Sequence, residues 1–255
     1  RARELVATLR AAGVDVSEWP VAATASPTTG EDRASARGLL SNQRVHDTTI
    51  AVVTAAELPG LVEHHRAVLG DVPRLIGYWF WELACVPESQ QPAIDLVDEI
   101  WAPTHFVREA YAAATAKPVR FVPLTIPCPS PALTERAALG LEPEFTFLVS
   151  FDHLSVMERK NPLGAIDAFG RAFPRGDESV RLHVKTLNAR LRTASHRRLA
   201  DRAANDARIR LVDGHVSDGE HLALIRESDA LVSLHRSEGL GLQPAAAMWL
   251  GTPVI

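Results

Sequence analysis

Residues 233–255 read SLHRSEGLGLQPAAAMWLGTPVI, and this stretch decides the fold. The apolar run 230–234 leads into it and is suited to a buried parallel strand. The two glycines of EGLG predict a tight turn, because glycine permits positive φ and lets a ligand approach the backbone closely. Pro244 suits the first turn of a helix, and Gly251 ends that helix ahead of a final strand over 252–255.

This order of strand, glycine turn, helix and strand places two features at the carboxyl edge of a parallel sheet. One is a helix N-terminus with free N–H groups, and the other is the carboxylate of Glu238. That edge is where α/β proteins bind anionic ligands. The alternative is a purely structural turn, in which Glu238 only complements the helix dipole.

The composition bounds the class of protein. The 255 residues are enough for two domains, and 46% hydrophobic residues can form real cores. A net charge of −4 argues against a nucleic-acid-binding protein, whose surface is usually basic. Two cysteines, Cys85 and Cys128, fit a reducing compartment better than a disulfide framework. Since no apolar run is long enough to span a bilayer and no signal peptide is found, we expect a cytoplasmic location.

The rest of the chain predicts alternating strands and helices, and therefore parallel sheets. A strand is predicted over 14–21 and a polar loop over 26–44. No strand precedes the first helix, although a doubly wound sheet normally has its first strand at the centre, so we expect a longer protein. The prolines between residues 123 and 131 mark a domain boundary, giving domains 1–127 and 128–255. A short helix is predicted from Pro131 to a stop at Gly140.

The opening stretch resembles the donor-site signature of glycosyltransferase family 4, E-G-F-G-L-x-x-x-E-A-M-x-x-G-x-P-V-I. The matching positions are Glu238, Gly239, Gly241, Leu242, Ala247, Met248, Gly251, Pro253, Val254 and Ile255. The chain departs from the signature at Leu240, a mild change, and at Ala246, where the family has a second glutamate. The segments GYWFWELACVP, DEIWAPTHFV and FDHLSVMERKNPLGAIDAF also resemble family members, so the resemblance covers most of the chain.

The resemblance implies the GT-B fold, an α/β architecture of two Rossmann-like domains whose parallel sheets face each other across a cleft. The first domain would then be on the acceptor side, and the second would bind the donor. The activity implied is transfer of a hexose-like sugar from a nucleotide diphosphate sugar, with retention of anomeric configuration. The acceptor would be a glycan, a lipid-linked sugar or a small molecule.

Three residues are the catalytic candidates that the resemblance implies. The family residue that matches Lys160 binds the donor diphosphate, and Arg159 stands beside it where the usual arginine, a few residues earlier, is missing. Glu238 would contact hydroxyl groups of the donor sugar. A departing diphosphate needs such cations, helped by a helix N-terminus. The alternative for the two cations is an ordinary solvated helix start.

Further donor-binding candidates follow from position. They are Gly239, Leu240, Gly241 and Leu242, whose backbone N–H groups would meet the sugar and phosphate, together with Lys185 and Val216. Lys185 ends a predicted strand and points to the same edge, although an ordinary exposed lysine is an equal alternative. Val216 belongs to a loop that the resemblance places at the base.

On the acceptor side we single out Trp79, Trp81 and Glu82, which follow a predicted strand of the first domain. Aromatic faces suit sugar rings and a carboxylate suits hydroxyl groups, although packing explains the two tryptophans equally well. No metal-ligand spacing and no Asp-x-Asp motif is present, so we expect neither an essential metal nor a cofactor besides the donor. The basic run 190–202 favours a solvated helix face, with peripheral contact to the inner face of a membrane as its alternative.

Two rival functions stay open. One is a different GT-B enzyme, such as a sugar-nucleotide epimerase. The other is a weakly active or non-catalytic relative that only binds a nucleotide sugar, which Ala246 favours, because alanine cannot accept a hydrogen bond from the donor.

Overall fold

A computed structural model of the chain describes residues 2–19, 46–69, 72–126 and 128–255, without the side chains of residues 67 and 68. The chain forms two compact units, Arg1–Thr125 and Ile126–Ile255. They divide two residues before the boundary expected from the proline-rich segment. The loop predicted over 26–44 lies outside the described residues.

In the first unit the described residues form four parallel strands, in the order β1-β2-β3-β4. The strands are β1 (Thr48–Ala51), β2 (Arg74–Tyr78), β3 (Glu99–Ala102) and β4 (Val119–Phe121). The helices are α1 (Ala2–Ala11), α2 (Leu58–His64), α3 (Arg66–Leu69), α4 (Gln91–Leu96) and α5 (His105–Ala112). Thr104 caps α5 by accepting a hydrogen bond from the Val107 N–H, as its position before the helix predicts.

A buried carboxylate joins three strands of this sheet. Glu99, 3% exposed, pairs at 2.6 Å with both Arg74 of β2 and Arg120 of β4. It also accepts a 2.7 Å hydrogen bond from the Trp101 indole. Burial would raise the pKa of Glu99, but these hydrogen bonds and arginine charges outweigh it and lower the pKa.

The second unit contains a sheet in the order β7-β6-β5-β8, again with every pairing parallel. Its strands are β5 (Phe145–Asp152), β6 (Val180–Leu187), β7 (Ile209–Asp213) and β8 (Ala230–Leu231). Its helices are α6 (Met157–Lys160), α7 (Pro162–Ala172), α8 (Thr193–Ala203), α9 (Asp218–Glu227) and α10 (Leu242–Leu250). The strand predicted over 252–255 appears as a parallel bridge between Val254 and Leu231.

Helices cover both faces of this second sheet. On one face Val149 and Val184 pack against α7 and α8, and on the other Leu148 packs against α9 and α10. Alternate residues of β5 therefore face opposite cores, as the two-residue period of a strand requires. Both faces are apolar, which explains why this strand has a nearly continuous hydrophobic sequence.

One local prediction is wrong, and a second is confirmed only in part. Residues 14–19 form no strand, and Val14 is 48% exposed, because no neighbouring strand lies beside them within the described residues. Between Pro131 and Gly140 the helix is only a 3-10 helix, Arg136–Leu139, but it ends at Gly140 as predicted, with φ 71° there. The side chain of Arg136 explains the difference, since its guanidinium bonds to the carbonyls of Glu144 and Glu227 and to the Asp229 carboxylate.

Candidate functional site

The site is built beyond the carboxyl ends of β5 and β8, which are neighbours in the sheet. Leu148 of β5 pairs with Leu231 of β8, although 83 residues separate them, so both chains leave the sheet at the same edge. The segment that follows β5 includes residues 157–161, and the segment that follows β8 includes residues 234–238. Parallel pairing alone therefore brings the RKN and HRSE sequences together.

Four hydrogen bonds hold these two segments against each other. The Asn161 amide donates to the Leu234 carbonyl at 3.1 Å, and the Arg159 guanidinium donates to the Ser237 carbonyl at 3.1 Å. In the other direction, the Arg236 N–H donates to the Arg159 carbonyl at 2.8 Å. The Arg236 guanidinium also donates to the Glu158 carbonyl at 2.9 Å. We call residues 157–161 and 234–238 together the cradle. Hydrogen bonds to backbone carbonyls hold it together, so the side chains of Lys160 and Glu238 are left to face each other.

Three basic side chains converge on one carboxylate. The Lys160 ammonium pairs directly with Glu238 Oε1, while Arg159 Nη1 lies 3.4 Å and His235 Nδ1 2.8 Å from the same oxygen. The His235 contact is close in distance but poorly aligned, and its buried Nδ1 makes no regular hydrogen bond. The Lys160 and Glu238 side chains are 14% and 29% exposed, so the pair is accessible from solvent.

The cluster keeps Glu238 ionised. Burial by itself would raise the pKa of Glu238, but the contacts with His235 and Lys160 and the charges of Lys160 and Arg159 lower the pKa to about 2. A carboxylate accepts hydrogen bonds and donates none in this state. It is therefore suited to hold hydroxyl or cationic groups, and unsuited to act as a general acid near neutral pH.

The turn and helix after Glu238 have the predicted form. Gly241 has φ 77° and is the N-cap of α10, a conformation that a β-carbon would strain. No side chain caps this N-terminus, so the first N–H groups of the helix are available to a ligand. Gly239 is buried, and Leu242 is 38% exposed at the first helical position.

Ala246 lies one turn into α10, four residues after Leu242 and so on the same face of the helix. It is half-buried. The neighbouring Gln243 amide makes a long contact of 3.5 Å with the Ser150 hydroxyl of β5. Gln243 is thus placed beside the position where the resembling family has its second glutamate.

The sequence contains three lysines, and the structure gives each a different task. Lys117 donates to the carbonyls of residues 94, 95 and 97 and thereby caps the C-terminus of α4. Lys185 is 4% exposed, which rules out the exposed alternative, and donates to the carbonyls of Thr186 and Gly214. Burial lowers the pKa of Lys185, against the charge of Asp213, which raises it. Lys160 alone pairs with a carboxylate at the site.

Lys185 anchors the loop of Val216, which the resemblance places beside the nucleotide base of the donor. By binding the Gly214 carbonyl it holds the start of residues 214–217 at the carboxyl end of β7. Val216 in this loop is 44% exposed, and Ser217 then begins α9 with the predicted capping box. Lys185 therefore contacts the protein backbone, while Val216, like His215 and Ser217 beside it, is exposed to solvent.

The three acceptor-side candidates of the first unit differ in accessibility. Trp79 is fully buried in the hydrophobic core, with its ring 5.3 Å from that of Tyr111, so its face is not available to a sugar. The indole lies over Gly77, where an added β-carbon would come within 2.4 Å of the ring. Trp81 and Glu82 are half-buried, and the Trp81 indole donates to the Cys85 carbonyl at 2.9 Å.

The remaining predictions concern the surface. In the basic run, Arg198 pairs with Glu158 and Arg202 with Asp167, which fits the solvated helix face. None of the described helices combines the length and the apolar composition that crossing a membrane requires. Within the described ranges, no three His, Cys, Asp or Glu side chains are grouped so that they could hold a metal ion.

Two residues of the cradle were not predicted from the sequence. His235 is one of ten histidines, and nothing in the sequence sets it apart from the others. Asn161 bonds to Leu234, which is distant in the sequence. The usable signal for Asn161 was the dipeptide Asn-Pro, which predicts a turn before a helix. Asn161 does adopt a left-handed conformation there, with φ 50°.

The fold is similar to that of solved glycosyltransferases. A UDP-forming α,α-trehalose-phosphate synthase from Burkholderia xenovorans superposes with a TM-score of 0.64 at 14% identity, over 88% of this chain and 62% of that one. A structure of such a synthase from the same organism with glucose-6-phosphate gives 0.64 at 13% identity, over 81% and 57%. HepE from Anabaena, in complex with UDP and glucose, gives 0.63 at 15% identity, over 82% and 58%.

These neighbours have the GT-B fold, so the predicted α/β class with two parallel sheets is confirmed. The chain spans about three fifths of the length of each of them. No family model matches the sequence, and no curated protein does. Membership of glycosyltransferase family 4 thus stays a prediction.

Proposed function

We propose that this chain is a glycosyltransferase that takes a hexose-like sugar from a nucleotide diphosphate sugar. The observation that carries the proposal is the convergence of Lys160 and Arg159 on Glu238, beside the uncapped N-terminus of α10. Two cations, one carboxylate and free N–H groups are what a sugar diphosphate requires. Support comes from the neighbours, since the HepE structure contains UDP and glucose.

Departure of the diphosphate is the step that these residues assist. When the sugar–phosphate bond breaks, the leaving group gains negative charge on its terminal phosphate. Fixed positive groups aimed at that charge lower the barrier, because they need no reorganisation during the reaction. Lys160 and Arg159 supply the cations, and the N–H groups of Gly241 and Leu242 add the helix dipole.

Binding of the donor exchanges partners at Glu238. The diphosphate carries more negative charge than one carboxylate, so it draws Lys160 and Arg159 away from Glu238. The carboxylate is then free to accept hydrogen bonds from the sugar hydroxyl groups. His235, whose Nδ1 lies 2.8 Å from Glu238 Oε1 in the free protein, remains beside the carboxylate.

The finer features of the reaction rest on the resemblance to family 4. Transfer proceeds with retention of anomeric configuration and without an essential metal ion. The acceptor is a glycan, a lipid-linked sugar or a small molecule, and Trp81 and Glu82 of the first unit contact it. The protein works in the cytoplasm, and the arginines of residues 190–197 offer a peripheral contact with anionic membranes.

A second candidate function is binding of a nucleotide sugar without turnover. The observation in its favour is Ala246, whose methyl group stands where the resembling family has a glutamate for the donor ribose. Gln243, one turn back and 3.5 Å from Ser150, is free enough to supply a replacement contact. A third candidate is another GT-B reaction, such as epimerisation of the nucleotide sugar.

The test is a panel of nucleotide diphosphate sugars, each incubated with the chain. Binding is followed by the rise in melting temperature, because a ligand of the native state stabilises it. Products are followed by mass spectrometry and NMR with a mixed set of acceptors. The proposal is supported if the nucleoside diphosphate is released and the new glycosidic linkage has the same anomeric configuration as the donor.

Three other results are informative. A shift in melting temperature without any product supports the binding function. A changed sugar still attached to the nucleotide supports the epimerase. No shift with any donor, in a folded sample, overturns all three.

A further inference from the structure

Apart from the cluster around Glu238, the second unit has a cavity towards the amino ends of its strands. It has a volume of about 330 Å³ and is lined by the segment 140–142 and by side chains of β5, β6 and β7. This volume is at the small end of the range for ligand sites. The cluster around Glu238 lies at the carboxyl ends of β5 and β8, so the two places are at opposite edges of one sheet.

One of the residues that line this cavity is a buried histidine. His183 is 4% exposed, and its ring makes no hydrogen bond with the described residues. Burial, followed by the charges of Arg210 and Lys185, lowers the pKa of His183 to about 4. The ring is therefore neutral at pH 7 and presents one N–H donor and one acceptor nitrogen.

The arginines that line the cavity differ in whether a carboxylate neutralises their charge. Arg181 is paired with Glu144 at 2.9 Å, and Arg208 is paired with Asp206 and Glu178, each at 2.6 Å. Arg210 has no carboxylate partner within the described part of the chain, and donates to the carbonyl of Gly140. The lining carboxylate of Glu142 is exposed. Arg210 is thus the one lining cation whose charge is left for a ligand, among the residues that the structure describes.

We propose that this cavity binds a small phosphate-bearing anion, held by the Arg210 guanidinium and by the ring of His183. A guanidinium offers several N–H donors to phosphate oxygens. A hydrogen phosphate ion has both acceptor oxygens and an O–H donor, so it can bond the ring nitrogen of a neutral imidazole that faces the cavity, whether that nitrogen donates or accepts. The arginine and histidine lie on neighbouring strands, in register, so they face the same side of the sheet.

The site is independent of the proposed glycosyltransferase reaction. It stands beside Lys185, two residues further along β6 on the same face, whose ammonium holds the Gly214 loop. A ligand at His183 therefore lies two residues along β6 from Lys185, which holds the Gly214 loop at the carboxyl ends of the strands. Inorganic phosphate also fits Lys160 and Arg159, so the experiment must report on His183 itself.

The experiment follows the ring proton signals of His183 by NMR, in the full chain carrying Lys160→Ala, during titration with inorganic phosphate. Chloride replaces phosphate in the reference titration at equal ionic strength. The signal is assigned with His183→Gln. A saturable shift with phosphate and none with chloride is expected. Arg210→Gln should weaken phosphate binding about tenfold or more, since it removes a charge-assisted hydrogen bond.

Arg197→Gln is the matched control. Arg197 is exposed on α8, outside the cavity lining, and its loss should change phosphate affinity less than about twofold. The proposal is overturned if phosphate leaves the His183 signal in place. It is also overturned if Arg210→Gln and Arg197→Gln weaken binding equally. Should His183→Gln not fold, Arg210→Gln still decides, because that side chain is exposed.

Discussion

Replacing Lys160 with alanine should lower turnover with the natural donor by about a hundredfold to a thousandfold, the effect of losing one preorganised electrostatic stabiliser. In the free protein the Lys160 ammonium pairs with Glu238, and both side chains are partly buried. On the proposed mechanism the bound diphosphate takes the ammonium over from Glu238, so the positive charge is in place before the sugar–phosphate bond breaks. Since the ammonium acts mainly on charge that appears in the transition state, kcat should fall more than the donor affinity.

The same substitution should leave the fold intact. Glu238 keeps Arg159 at 3.4 Å and His235 at 2.8 Å after the lysine is lost. The segment itself is held by backbone contacts of Arg159, Asn161 and Arg236, none of which involves the lysine side chain. The pKa of Glu238 should rise from its value of about 2, because one hydrogen bond and one charge that lower it are gone.

Steady-state kinetics with the donor found in the binding panel, together with a melting curve, measure both effects. Arg197→Ala is the control, because it removes a positive charge from the same unit at an exposed position outside the site. Normal turnover in Lys160→Ala, or an equal loss in Arg197→Ala, would refute the assignment. A large fall in melting temperature would show instead that the pair is structural.

The other predictions concern donor affinity and stability. Ala246→Glu should tighten binding of the nucleoside diphosphate about ten- to a hundredfold by restoring one charged hydrogen bond, and calorimetry measures it; unchanged binding would mean that the ribose is held elsewhere. Gly77→Ala should destabilise by about 1–3 kcal/mol in denaturant unfolding, because its methyl group enters the Trp79 ring. Ser217→Ala should cost about 1 kcal/mol by removing the capping box, and an unchanged unfolding midpoint would contradict this. Glu99→Gln should lower the melting temperature at pH 7, since a carboxyl with a lowered pKa stabilises the fold above its ordinary pKa of about 4.3. The difference in melting temperature should shrink as the pH falls below that value, and a difference that does not shrink would exclude the ionic explanation.

Features that depend on a few neighbouring residues were predictable. The start of α10 after Gly241, the cap at Thr104 and the capping box at Ser217 each follow from the geometry of one helix end. The alternation of strands and helices likewise follows from local hydrophobic patterns. The strand expected from residue 14 onward does not form over the described residues 14–19, since a strand needs a partner that its own sequence does not specify.

The pairing of strands in the second sheet determined which side chains meet at the site. The sequence by itself determined that Lys160 precedes a helix and that Glu238 precedes a glycine turn, because both facts concern adjacent residues. Only the tertiary structure decided that these two side chains meet, because the pairing of β5 with β8 joins segments 78 residues apart. It also decided that Lys185 is buried and Trp79 lies in the core, since burial depends on which elements cover a residue, and distant parts of the chain supply that cover.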